Sequence, residues 1–256
     1  MRGADLLRGA AGLGILAAIL EVVTRVGLVD PRHVPPASAV LAATGGILVD
    51  PGFLAGVAGT LAAWALGLGA AIAIGVPLGL LLGASPRMHR ASTAVIELLR
   101  PIPSVALIPL AILLLGRGLD MRLALVAYAS VWPILFNTLY GVRAIDPLVT
   151  DTARAFGLRR GAVVRHAWLP AAAPFAYTGI RVAAGIALIL AISTELIAGG
   201  GPGIGTWMLG ASQTGVPPEL LYAGIVVTGA LGLLLNAVLA GGERRLFAWH
   251  HRARPS

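Results

Sequence analysis

Residues 151–170 read DTARAFGLRRGAVVRHAWLP, a basic, helix-like stretch inside an otherwise apolar chain. Arg154, Arg159, Arg160, Arg165 and His166 fall there among short apolar steps, with Gly157 near the middle and Leu169-Pro170 at the end. Upstream, Asp146 suits a helix cap and Pro147 a first helical residue. Val149, Ala153 and Phe156 recur at helical spacing, and Gly157 suits the left-handed residue that closes a helix. A second short helix from about Arg159 is expected to stop before Pro170, because the residue before a proline disfavours helical dihedrals. Two short helices hinged at a glycine, with a mixed apolar and basic surface, fit a groove on a partner protein. They fit a basic loop at anionic lipid headgroups equally well.

The composition around this insert sets the solvent. Hydrophobic residues are 57% of the 256 and charged residues 12%, with a mean hydropathy of +0.88. A soluble domain carries about 25% charged residues. A bilayer core of about 30 Å needs roughly 20 residues per helix, which leaves room for about six spans. The net charge of +8 rests on arginine, since the sequence has no lysine. A Walker A phosphate loop needs its lysine and Schiff-base catalysis needs one too, so both are excluded. The absence of cysteine excludes disulfides and thiol nucleophiles. The basic residues sit in short loops between apolar runs, which argues against nucleic-acid binding.

The apolar runs predict an all-α integral membrane protein with spans at approximately 6–29, 53–83, 92–115, 121–140, 173–198 and 220–240. The first has the length of a signal peptide, but Glu21 and Arg25 past its apolar centre and the lack of a small-residue cleavage site favour a retained helix. Residues 30–40 read as a Pro-rich loop and 84–90 as a short basic turn. In the second span Gly67, Ala71, Gly75, Gly79 and Gly83 recur every fourth residue, a stripe that lets a neighbouring backbone come close, and Pro77 predicts a kink. Pro101, Pro103 and Pro109 predict a broken third span, tolerated at membrane depth only where protein or water covers the freed groups. GGGPGIG, residues 199–205, reads as a flexible external loop or gate, not a phosphate cradle. Six spans place both termini on one side. Thirteen arginines lie in loops on that side, against four (Arg25, Arg32, Arg117, Arg122) on the other, with Arg100 and Arg181 inside spans. That imbalance predicts that both termini and segment 143–170 are cytoplasmic.

DTARAFG followed by LP resembles the "EAA…G…LP" signature of ATP-binding cassette (ABC) importer permeases. LLRPIPSVALIPLAILLLGRG, VWPILFNTLYGVRAIDP, LPAAAPFAYTGIRVA and ELLYAGIVVTGALGLLLN, in that order, are similar to the nitrate/sulfonate/taurine branch over about residues 10–248. The resemblance implies a type I importer permease fold. It implies a pore made by a second permease copy, two separate ATP-binding subunits that hold ATP and Mg, and a periplasmic or lipid-anchored solute-binding protein. The segment 143–170 would be the coupling helix that contacts the ATPase through Asp151, Ala153, Arg154, Phe156, Gly157, Leu158, Arg159 and Arg160. Two departures stand out. Asp151-Thr152-Ala153 replaces Glu-Ala-Ala, and Arg159, which cannot cap, stands where relatives often carry a serine cap.

Polar residues within the spans supply the remaining candidates. Glu195 near the outer end of the fifth span, with Ser193 and Thr194, reads as a pathway or gate residue. Ser104, Trp132 and Asn137 are further pathway candidates. Glu97 with Arg100 and Glu21 with Arg25 are expected to pair along helix faces. Phe247 and Trp249 read as interface anchors. His33, His89, His166, His250 and His251 fall in loops or the tail, so no metal site is expected. An intramembrane enzyme would need a nucleophile and base in the spans, and a secondary transporter would show internal repeats; neither signature is present.

Overall fold

The computed structural model describes residues 3–247. Among them every regular element is helical: α1 (Gly3–Arg25), α2 (Ala37–Ile47), α3 (Pro51–Ala84), α4 (Pro86–Leu99), a 3-10 turn (Ser104–Leu107), α5 (Ile108–Leu115), α6 (Leu119–Arg143), α7 (Pro147–Ala155), α8 (Arg160–Val163), a π turn (Val164–Trp168), α9 (Leu169–Ala198), α10 (Ile204–Gln213) and α11 (Pro218–Leu246). Five helices (α1, α3, α6, the run through α9, and α11) are long and apolar enough to cross a membrane. The α4–α5 pair, bent by 75°, makes the sixth if counted as one span. Trp249, His250, His251, Arg2, Arg252 and Arg254 lie outside the described residues.

The core is α6 held between α3 and α9, closed at one edge by α11 and α2. The glycine stripe makes this possible. A Cβ on Gly67 would stand 2.6 Å from Val126, one on Gly75 3.0 Å from Ile134, one on Gly79 2.6 Å from Thr138 and one on Gly83 2.7 Å from Val142. Four β-branched side chains of α6 thus sit in four glycine notches of α3, with the two helices running parallel. Without a hydrophobic driving force in lipid, this close packing is what joins the helices.

Three boundaries and one side-chain role differ from the sequence expectation. The supposed turn at 84–90 is the start of α4, because Ser85 caps it by accepting from Met88 N at 3.3 Å. The Pro-rich loop ends at Pro36, and the short apolar helix α2 follows and packs against α11. Glu21 accepts from Ser38 N at 2.9 Å and from its hydroxyl at 2.8 Å while pairing with Arg25, which fastens α1 to the start of α2. The second insert helix does not stop at Pro170. A π turn runs straight into α9 there, placing the proline in that helix's first turn, where its missing N–H is tolerated. Phe247 is turned inward, 8% exposed and edge-on to Tyr177, so it is no interface anchor.

The stripe generates a paired prediction. Gly79→Val must displace Thr138 and the Leu135 carbonyl, whereas Gly69→Val meets nothing within 4 Å. Thermal denaturation in detergent should show Gly79→Val destabilised by about 1–3 kcal/mol, with Gly69→Val close to the parent.

Candidate functional site

The bundle has two distinct ends. At the arginine-rich end, α7 and α8 form an elbow between α6 and α9. Asp146 accepts from Leu148 N at 2.8 Å, which caps α7. Gly157 takes φ +78, the left-handed conformation that turns the chain, and Leu158 N donates to Ala153 O at 3.1 Å. Trp168 Nε1 donates to the Thr150 hydroxyl at 3.2 Å, tying the π turn back onto α7. Arg159 stands at the start of α8, its carbonyl accepting from Ala162 N and Val163 N. Of the predicted apolar stripe, Ala153 is half-buried, Val149 is exposed and Phe156, at the elbow's tip, is 82% exposed. Leu148 is bare as well. Asp151, Gly157 and Arg159 are exposed and Leu158 half-buried. Arg154 and Arg160 lie within α7 and α8, and their side chains lie outside the described residues.

At the opposite end a buried ion pair closes the bundle. Arg122, counted from sequence as an outer loop residue, is in the first turn of α6 and 3% exposed. Its Nη1 lies 3.2 Å from Glu195 Oε1. Glu195, fully buried, also accepts from the Thr60 hydroxyl of α3 (2.9 and 3.0 Å) and from Gly205 N at 3.0 Å. Arg122 donates further to Pro202 O at 3.0 Å and Gly200 O at 2.9 Å. Residues 199–203 are therefore pinned at two carbonyls, contrary to the flexible loop expected, and lead into α10, which the sequence reading missed. Thr60 Oγ1 accepts from Ile204 N at 2.9 Å, fixing the start of α10 onto α3. Gly203 packs directly on the Glu195 carboxylate and Gly59 on the Pro202 carbonyl, so neither place admits a Cβ.

The remaining candidates do not converge on one cavity. Thr194 is buried and donates to Ala191 O at 2.7 Å, while Ser193 is half-buried beside it. Asn137 donates to Pro133 O at 2.8 Å, and a Cβ on Gly179 would meet it, so it faces α9. Trp132 sits on another face of α6, edge-on to Tyr128 with centroids 5.8 Å apart. Ser104 starts the 3-10 turn after the proline break. Arg181 pairs with Glu243 and reaches Asn236 at 3.4 Å, which bridges α9 to α11. The expected Glu97–Arg100 pair is not formed, and Arg100 lies over the ring of Phe136 instead. His89 and His166 belong to α4 and the π turn, and no group of three metal-capable side chains occurs among the described residues.

A helical bundle with an exposed basic elbow at one end and a sealed cap at the other is the form of a multi-pass transport permease. Residues 75–247 match the family described as "Binding-protein-dependent transport system inner membrane component", and the chain belongs to that family. It is 30% identical over 246 residues to the taurine transport system permease protein TauC of Escherichia coli, covering 93% of this chain and 89% of that protein. It is 30% identical over 190 residues to the nitrate import permease protein NrtB of Leptolyngbya laminosa, covering 74% and 67%. Over 180 residues it is 30% identical to the bicarbonate transport system permease protein CmpB of Synechococcus elongatus, covering 70% and 64%. Among solved structures, an inward-facing MetNI methionine ABC transporter matches with a TM-score of 0.65 at 20% identity, over 75% of this chain and 95% of that one. A bacterial alginate importer matches at 0.64 and 14%, over 95% and 99%. The fold is that of type I ABC importer permeases, and the protein is a permease subunit of this class.

The cap makes its own prediction. Glu195→Gln or Arg122→Gln leaves one buried charge unpaired, and each should cost about 3–5 kcal/mol in thermal stability. The double variant should be less destabilised than the two singles added together.

Proposed function

We propose that this permease works as one of two like copies that together enclose a path for a small solute, driven by separate ATP-binding subunits that grip the α7–α8 elbow. The observation that carries the reading is Phe156, a bare aromatic side chain at the tip of a basic elbow. Aromatic anchors of this kind fill partner pockets and dominate interface energy. Asp151, Ala153, Arg154, Gly157, Leu158, Arg159 and Arg160 make up the rest of the contact. The arginine imbalance supports a cytoplasmic elbow and cytoplasmic termini. The missing lysine supports the same division of labour, because ATP and Mg then belong to the partner.

A solute-binding protein delivers cargo to the capped end. Nucleotide binding closes the ATPase pair, draws the two elbows together and shifts the permease pair outward, and hydrolysis resets it. Each state is favoured by whichever partner binds it more tightly. The cargo is a small hydrophilic solute of the kind that taurine, nitrate and bicarbonate represent among the relatives. The cap residues Ser193, Thr194 and Glu195 act in this scheme by holding the outer closure, and Ser104, Trp132 and Asn137 remain candidates for the path.

Co-purification with the ATPase tests the reading. Phe156→Ala should weaken retention about thirtyfold, the equivalent of a 2 kcal/mol hot spot, and Gly157→Asp and Arg159→Glu should weaken it further. Unchanged retention in all three variants would remove the elbow as the ATPase contact.

A further inference from the structure

Several charged groups in the membrane-crossing helices are held by partners. Glu195 and Arg122 are sealed in the cap, and Arg181 is held by Glu243 and Asn236. Arg100 has neither arrangement. It ends α4 where the chain breaks before the 3-10 turn, and it is exposed. Among the described residues its guanidinium makes no hydrogen bond or ion pair, and it lies over the face of Phe136, with Cζ 4.7 Å from the ring centroid.

Phe136 belongs to an aromatic ladder on α6 formed by Tyr128, Trp132, Phe136 and Tyr140 at four-residue spacing. Phe136 and Tyr140 stack with centroids 6.2 Å apart. Tyr128 donates its hydroxyl to the Leu99 carbonyl at 2.6 Å, a group at the broken end of α4. The ladder thus fixes the break on one side and the guanidinium on the other. At 1.5 Å per residue, Phe136 stands about 10 Å along α6 from Arg143 and about 25 Å from Leu119. That depth is within the roughly 30 Å core. An unpaired guanidinium and irregular backbone at this depth cannot face hydrocarbon; they need water or protein against them.

We propose that Arg100 lines the water-filled translocation path and selects for anionic solutes. This rests on the two-copy permease reading above, in which the second copy brings its own Arg100 to the same path. A planar guanidinium has five donors and no acceptor, and its fork matches the oxygens of a sulfonate, carboxylate or nitrate group. The cation–π contact with Phe136 holds it in place without neutralising it, as a carboxylate partner would. The neutralised Arg181 and Arg122 offer no such field.

The chain has no cysteine, so Ser104→Cys, just past the break, gives a single reporter thiol. The permease–ATPase complex is placed in nanodiscs of zwitterionic lipid, without nucleotide and with trapped ATP. Reaction rates of the thiol with a negatively and a positively charged methanethiosulfonate are then measured, each scaled to the SDS-unfolded protein. In at least one nucleotide state both reagents should react, with the anionic one favoured. Arg100→Gln should lower the anion-to-cation rate ratio about tenfold, as loss of a nearby charge in a confined aqueous site requires, and Arg100→Lys should keep most of it. A thiol inert to both reagents in both states would overturn the proposal, as would a ratio indifferent to Arg100→Gln. Persistent ATPase co-purification in the same preparation would show that the permease reading survives that failure.

Discussion

Hydrocarbon offers no partner to a charge or to a free peptide group, and this constraint organises the whole molecule. The long helices satisfy their own backbones. The few charges within them must be enclosed by protein, paired, or set against water. Glu195 and Arg122 meet the demand by enclosure: Thr60, Gly205, Gly200 and Pro202 supply the remaining hydrogen bonds, so the pair ties α3, α6, α9 and α10 into one closed end. Arg181 and Glu243 meet it by pairing across α9 and α11. Arg100 meets it in neither way, which is why its surroundings bear on function.

The same constraint explains how helices without a hydrophobic drive hold together. The glycine notches of α3 admit Val126, Ile134, Thr138 and Val142, and α6 becomes the central post of the bundle. The elbow at one end of that post and the cap at the other are then fixed relative to one another through α6 and α9, the two helices that reach both. Both ends of the bundle are thus joined by closely packed helices.

Much of this was legible in the sequence, for identifiable reasons. Span number followed from hydropathy, and the stripe from four-residue spacing of glycine and alanine. The elbow followed from Asp146-Pro147 and Gly157, whose backbone preferences are local. What was missed depends on partners distant in sequence. Arg122 looked like a loop arginine because its enclosure comes from residues 60, 195 and 199–205, which no local pattern connects to it. Helices α2 and α10 are short and lie beside Pro- and Gly-rich segments, so the breakers were read and the helices between them were not. Glu97 and Arg100 had the spacing of a pair, but the aromatic face of α6 competed for the guanidinium and won. The cap at Ser85 was not read, because the basic residues after it suggested a turn.

The account stands on the elbow being a cytoplasmic handle, and its sidedness can be read directly. With Phe156→Cys as the sole thiol, a membrane-impermeant maleimide should label inverted membrane vesicles and leave intact cells unlabelled, and added ATPase subunit should suppress the labelling. Labelling of intact cells, or labelling of inverted vesicles that the ATPase does not reduce, would contradict it.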